Sequence, residues 1–171
     1  LPTYSAVKPT VSLTVMELAA AGELDLDAPV ASVLSAFGTN GKEAITLSQV
    51  LLHAGGFPHA PMGPSEFADR DARLGRYGQW RTTWAPGTAF EYHASAAHWV
   101  LADCITEVTG RHHADVVTDT VMAPAGCRRW LAIPHDQQDD IATVVSVGVA
   151  PDLEALAKQF GIESMPVTEV T

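Results

Sequence analysis

Ser5 and Lys8 stand three residues apart in "YSAVK", just where apolar Val11, Val15 and Leu18 begin a helical repeat. Residues i and i+3 share one helical face, so the spacing brings the Lys8 amine beside the Ser5 hydroxyl. A serine hydroxyl is a weak nucleophile until a neighbouring base takes its proton. A lysine can do this only where desolvation or a nearby cation lowers its pKa. The first turn of a helix adds unpaired N–H groups and the positive end of the dipole, both favourable to a developing anion. The same two residues equally suit a serine cap beside a solvated lysine. With nine serines and three lysines in 171 residues, about 0.16 chance Ser-x-x-Lys pairs are expected. The pair alone therefore leaves both readings open.

Composition narrows the class of protein. With 47% hydrophobic and 18% charged residues, the chain has material for one globular core. A net charge of −10, relieved only by the small Arg128-Arg129 pair, disfavours nucleic acid and anionic membrane surfaces as partners. No apolar run approaches the roughly 20 residues needed to span a bilayer, and the first residues carry no leader pattern. These features predict a soluble protein and leave its compartment open between cytoplasm and periplasm or exterior. Cys104 and Cys127 form no CxxC pair and read as ordinary thiols. The chain opens at Leu1 rather than Met, so we expect further polypeptide upstream.

Helices must position the candidate residues. The repeat through Val11, Val15, Met16 and Leu18 predicts a helix from about Ser5 to Ala21, stopped at Gly22. Asp27 before Pro29 suggests a second short start, and Thr46-Leu47-Ser48-Gln49 has the form of a capping box ahead of "VLLHA", closed by Gly55-Gly56. Residues 57–87, rich in Pro, Gly, Asp and Arg, predict a long covering loop with one short helix at most. Asp69, Arg70, Asp71, Arg73 and Arg76 within it read as a solvated charged face. An amphipathic helix through Ala97, Trp99, Leu101, Cys104, Ile105 and Val108 ends at Gly110, and a shorter helix breaks at Pro124 and Gly126. "HDQQDDIATVVSVGVAP" could supply a strand, and Asp152 caps a last helix bearing Leu153, Leu156, Ala157 and Phe160.

"SAVKPT", "LAAAGELDLDAPV", "ITLSQVLLHAGGF", "PGTAFEYHASAAHWVLADCITEVTG" and "VMAPAGC" together resemble, in order and spacing, the serine β-lactamase and penicillin-binding-protein superfamily. The resemblance is closest to class C-like family VIII carboxylesterases and extends from Ser5 to about Cys127. It implies Ser5 as the acylated nucleophile, Lys8 as its proton acceptor or electrostatic partner, and Tyr92 as the tyrosine of a Tyr-x-Asn motif. A phenol beside an ammonium can be held partly as phenolate and shuttle a proton to the leaving group.

Two departures accompany the likeness. Ala94 stands where the motif would place Asn, so the substrate-binding amide is absent, with His93 and Ser95 as possible substitutes; this argues for an esterase over a β-lactamase. Trp80 and Trp84 in the covering loop could line an acyl pocket, or simply anchor that loop. The third family motif, a strand carrying Lys-Thr-Gly or a variant, does not occur before Thr171, and its N–H normally completes the oxyanion hole.

The fold expectation is therefore a mostly α chain: the helical part of an α+β β-lactamase/transpeptidase-like fold whose antiparallel sheet is largely missing. Residues 1–133 would hold the nucleophile helix and helical region, and residues 134–171 would lead toward the sheet. A second chain or a missing segment would supply that sheet. Alone, the chain should expose the apolar helix surface that normally meets it.

The expected activity is ester hydrolysis through an acyl-enzyme on Ser5, with a small ester or β-lactam as partner and no cofactor. The alternatives are β-lactamase or D-Ala-D-Ala carboxypeptidase activity, or an inactive binding domain on the same fold. The seven histidines make no HExxH or close Cys/His set, which disfavours a metal. His53 in "LLHAGG" reads as a hydrogen-bonded structural residue before a turn. No Gly-x-Ser-x-Gly elbow or phosphate-cradling loop is present.

Overall fold

The computed structural model describes residues 3–145, 147 and 152–160, and every element among them is helical. Helix α1 runs Lys8–Ala20 and is entered through a 3-10 turn at Tyr4–Val7. The nucleophile candidate therefore sits in this tighter turn and not in the α-helix expected from Ser5. Pro9, near the start of α1, explains the boundary: its ring fixes φ for a helical start and it offers no N–H to extend the ladder backwards. Tyr4, at φ 45°, enters the turn from the left-handed region.

Two 3-10 turns, Val30–Ser32 and Ser35–Phe37, occupy the predicted second start. Helix α2, Leu47–Leu51, begins at the expected capping box. Gln49 N–H donates to Thr46 Oγ1 at 3.2 Å, and Thr46 N–H donates to Gln49 Oε1 at 3.1 Å.

The covering segment holds two helices where one at most was expected, α3 Pro64–Phe67 and α4 Arg70–Tyr77. Its charges are only partly a solvated face: Asp69 and Asp71 are exposed, Arg70 and Arg76 are half-buried, and Arg73 is not solvated. Arg73 is 4% exposed and Asp103 is fully buried; Arg73 grips Asp103 with Nε at 2.9 Å and a terminal nitrogen at 2.8 Å. Tyr77 OH donates to the same carboxylate at 2.6 Å. Glu66 is buried too, accepting from the Gly63 N–H and from Arg76. Buried charges persist only when paired in this way, and the partner that pairs Arg73 is 30 residues away on another helix.

That helix, α5, runs Ala96–Thr109 and stops at Gly110, whose φ of 66° is the left-handed conformation glycine adopts without strain. Helix α6, His113–Val117, passes into a π-turn at Thr118–Met122. Helix α7, Leu153–Phe160, starts as expected, with Asp152 Oδ1 accepting from the Glu154 and Ala155 N–H groups at 3.0 and 3.1 Å. The candidate strand of residues 135–151 lies partly outside the described residues, and no strand occurs among those described.

Helices α1 and α5 pack against each other, and their buried residues Val11, Val15, Val100, Leu101, Cys104 and Ile105 join Phe37, Phe57 and Trp80 in one core. Trp80 anchors the covering segment: its ring packs on Phe57 and Tyr77, and Nε1–H donates to the Pro61 carbonyl at 2.8 Å. Lys42 is fully buried and donates to the Thr39 and Trp80 carbonyls at 2.6 and 2.7 Å. On the other face of α1, Leu13 and Met16 remain about half exposed.

Candidate active site

The 3-10 turn presents Ser5 at the surface, and the next turn brings Lys8 onto the same side. Lys8 Nζ donates to Ser5 Oγ at 2.9 Å. A second group reaches that oxygen from 87 residues away: Tyr92 OH donates to Ser5 Oγ at 3.1 Å. The Lys8 ammonium also lies 5.5 Å from the centre of the Tyr92 ring. Burial works to raise the Tyr92 pKa, but the hydrogen bonds with Ser5 and Lys8, and the Lys8 charge, together hold the phenol below its usual value of 10.0. Ser5, Lys8 and Tyr92 thus form a closed triangle around one oxygen, with the phenol biased toward the form that can accept a proton.

The other candidates divide. Ser95 precedes α5 without making a cap hydrogen bond through its side chain. With Ala94, it walls two cavities, each of about 260 Å³. One cavity reaches Lys8, Val11, Trp99 and Leu131, and the other reaches Pro58, Met62 and Tyr92. Ala94, which the resemblance sets at the Asn position of the family motif, thus borders open space next to Lys8 and Tyr92.

His93 does not face that space. Its ring is fully buried; Nε2 accepts from the Phe57 N–H at 3.0 Å, and Nδ1 pairs with the Glu91 carbonyl at 2.6 Å. Since Nε2 is an acceptor, Nδ1 carries the proton, and neither nitrogen is left for a substrate. The expectation of His93 as a stand-in for the missing Asn is corrected on this ground. Trp84 is half-buried with its ring edge-on to His93 at 6.1 Å, and its carbonyl lies over Gly56. It walls neither of the two cavities.

Two histidines not expected at the site lie within it. His98, on α5, approaches Ser12 of α1, with Nε2 3.4 Å from Ser12 Oγ; burial first, then the Lys8 charge, brings its pKa down to about 4. His53 packs its ring against Tyr92 with centroids 4.9 Å apart. Its place before Gly55-Gly56 marked it as a turn residue, but nothing local signals a neighbour 39 residues along the chain.

This fold belongs to a known class. The Beta-lactamase family profile matches residues 1–161, and the chain belongs to that family, within the serine β-lactamase and penicillin-binding-protein superfamily. Esterase EstB of Burkholderia gladioli is 32% identical over 143 residues, covering 72% of this chain and 36% of the esterase. A family VIII carboxylesterase structure matches with TM-score 0.66 at 27% identity over 72% of this chain and 34% of its own. A penicillin-binding-protein homologue from Caulobacter crescentus matches with TM-score 0.76 at 25% identity over 89% of this chain and 43% of its own. The chain thus spans about a third to two-fifths of the length of these relatives.

Proposed function

We propose that this chain carries the acylating centre of a serine hydrolase that cleaves small carboxylic esters. The observation that carries the reading is the convergence of Lys8 Nζ and Tyr92 OH on Ser5 Oγ at 2.9 and 3.1 Å. In the reaction, the Tyr92 phenolate, stabilised by the Lys8 ammonium, takes the Ser5 proton as Oγ attacks the ester carbonyl. The tetrahedral intermediate collapses when Tyr92 returns that proton to the departing alkoxide, leaving Ser5 esterified. A water molecule deprotonated by Tyr92 then attacks the acyl-enzyme, and the acid leaves as Ser5 regains its proton. No cofactor enters this scheme.

Support for an ester, and not a β-lactam, comes from Ala94, which offers no amide to a substrate carbonyl, and from the two esterase relatives. The same proposal makes this chain the helical half of the fold. A sheet from further polypeptide would supply the second oxyanion donor, in keeping with the share of its relatives that the chain spans.

The test is intact-protein mass spectrometry of the full-length protein before and after a serine-directed phosphonate, with Ser5→Ala as control, followed by turnover of short-chain nitrophenyl esters and a chromogenic cephalosporin. An adduct lost in Ser5→Ala, together with ester turnover, is the expected result. A cephalosporin preferred over every ester would replace esterase with β-lactamase. Equal labelling of wild type and Ser5→Ala would overturn the acyl-enzyme reading.

A further inference from the structure

His53 is the last residue of the turn that ends α2, and its backbone has φ 55°, in the left-handed region that few non-glycine residues other than Asn, Asp and His enter. From that position it holds the chain on both sides of Tyr92. Its carbonyl accepts the Glu91 N–H at 3.3 Å, and its ring Nδ1 accepts the His93 N–H at 3.1 Å. Between these two bonds the imidazole packs on the Tyr92 ring at 4.9 Å.

The clamp lies within a wider docking of the two segments. Gly87 N–H donates to the Ala54 carbonyl at 2.8 Å, Thr83 N–H to the Gly56 carbonyl at 2.7 Å, and Phe57 N–H to the His93 ring. His53 is the member of this set that touches the phenol itself.

Nδ1 can accept the His93 N–H only in the neutral ring, with the proton on Nε2. The surroundings favour that form. Burial, then the Lys8 charge from α1, lowers the His53 pKa below 6.5. The aromatic groups facing the ring are His98 of α5 and Phe90, His93 and Tyr92 of the docked segment, and of these the Tyr92 phenol is the one that can become an anion.

We infer that His53 is a positioning residue that sets the Tyr92 hydroxyl on Ser5 Oγ, through its two backbone hydrogen bonds and its ring contact. This rests on the acylation chemistry proposed above and adds to it the element that fixes the phenol. Tyr92 is about half exposed and lies in a segment without regular structure, so helix packing does not fix it. A displacement of about 1 Å at such a group costs on the order of 10²-fold in rate.

The experiment measures the rate of Ser5 phosphonylation in the full-length protein for wild type, His53→Ala, His53→Asn, Tyr92→Phe and the double variant His53→Ala/Tyr92→Phe, with thermal unfolding of each. Asn places Oδ1 near the position of Nδ1 and tolerates the left-handed backbone. His53→Ala is expected to slow labelling about 10- to 100-fold and His53→Asn to restore most of the loss. In the Tyr92→Phe background, His53→Ala is expected to add little, because its effect passes through the phenol.

Wild-type labelling rates in His53→Ala, or full additivity of the two losses, would overturn the inference. So would an Asn variant that is stable but as slow as Ala. An adduct that persists in Ser5→Ala would instead sink the acylation reading itself, and is distinguishable because it does not depend on residue 53.

Discussion

Asp103→Ala is the perturbation whose cost the structure defines best. The carboxylate is fully buried and receives two hydrogen bonds from Arg73, at 2.9 and 2.8 Å, and one from Tyr77 at 2.6 Å; Arg70 Nε lies 3.5 Å away. Arg73 is itself 4% exposed, so removing Asp103 leaves a guanidinium in the core without an anion, held by the Glu66 and Phe67 carbonyls at 3.3 and 2.6 Å and by the Trp99 ring face at 4.6 Å. Stripping one partner from a buried pair costs about 3–5 kcal/mol. In a domain of this size each kcal/mol lowers the melting temperature by about 2–4 °C, so the expected drop is roughly 6–20 °C. The pair is not expected to be worth that much in itself, because both ions lose their hydration on burial.

Arg73→Met combined with Asp103→Leu should therefore recover most of the loss. Urea or thermal unfolding of the full-length protein, followed by circular dichroism, measures all of the variants. If Asp103→Ala unfolds within about 1 kcal/mol of wild type, or the double variant is less stable than the single one, the reasoning from buried charge fails.

Further outcomes follow from the same geometry. Tyr92→Phe, which keeps the ring and removes the hydroxyl from Ser5 Oγ, should lower the phosphonylation rate about 10²- to 10⁴-fold with little change in melting temperature; a loss below tenfold would remove Tyr92 from proton transfer. Gly56→Ala should destabilise by about 1–3 kcal/mol or more, since φ is +83° and a Cβ would lie 2.4 Å from the Trp84 carbonyl oxygen; an unchanged urea midpoint would contradict it.

His98 and His113 each have a pKa brought to about 4, by burial first and then by the charges of Lys8 and His112 respectively. Between about pH 6.5 and 4 the unfolded chain binds protons that the folded chain refuses, so stability falls as pH falls, by up to about 3 kcal/mol per histidine. Urea midpoints that stay level from pH 7.5 to 5 would show that these rings are not held neutral.

Much of the local architecture is legible in the residues. Thr46 and Gln49 bracket a helix start because each bonds the other's backbone within one turn, and Gly110 ends α5 because it alone there takes positive φ cheaply. Ser5 and Lys8 meet through i, i+3 geometry, which survives even though Ser5 lies in a 3-10 turn. Tyr92 is different. Its spacing from Ser5 carries no signal, and it was placed beside the nucleophile through family resemblance.

What the sequence determined by itself is what acts within one or two turns of chain: helix starts and stops, the apolar stripe of α1 and α5, and the pairing of Ser5 with Lys8. Only the tertiary structure decided which polar groups leave water. Arg73 read as solvated because a charge cluster without a local partner is normally hydrated, and its partner Asp103 comes from another helix. His93 read as available to a substrate because its type and place give no sign of its partners, yet the Glu91 carbonyl takes one ring nitrogen and the Phe57 N–H, 36 residues away, claims the other. His53 became the clamp on Tyr92 in the same way. Hydrogen bonds and burial between segments tens of residues apart depend on where the chain returns, and no residue carries that information in its own type or spacing.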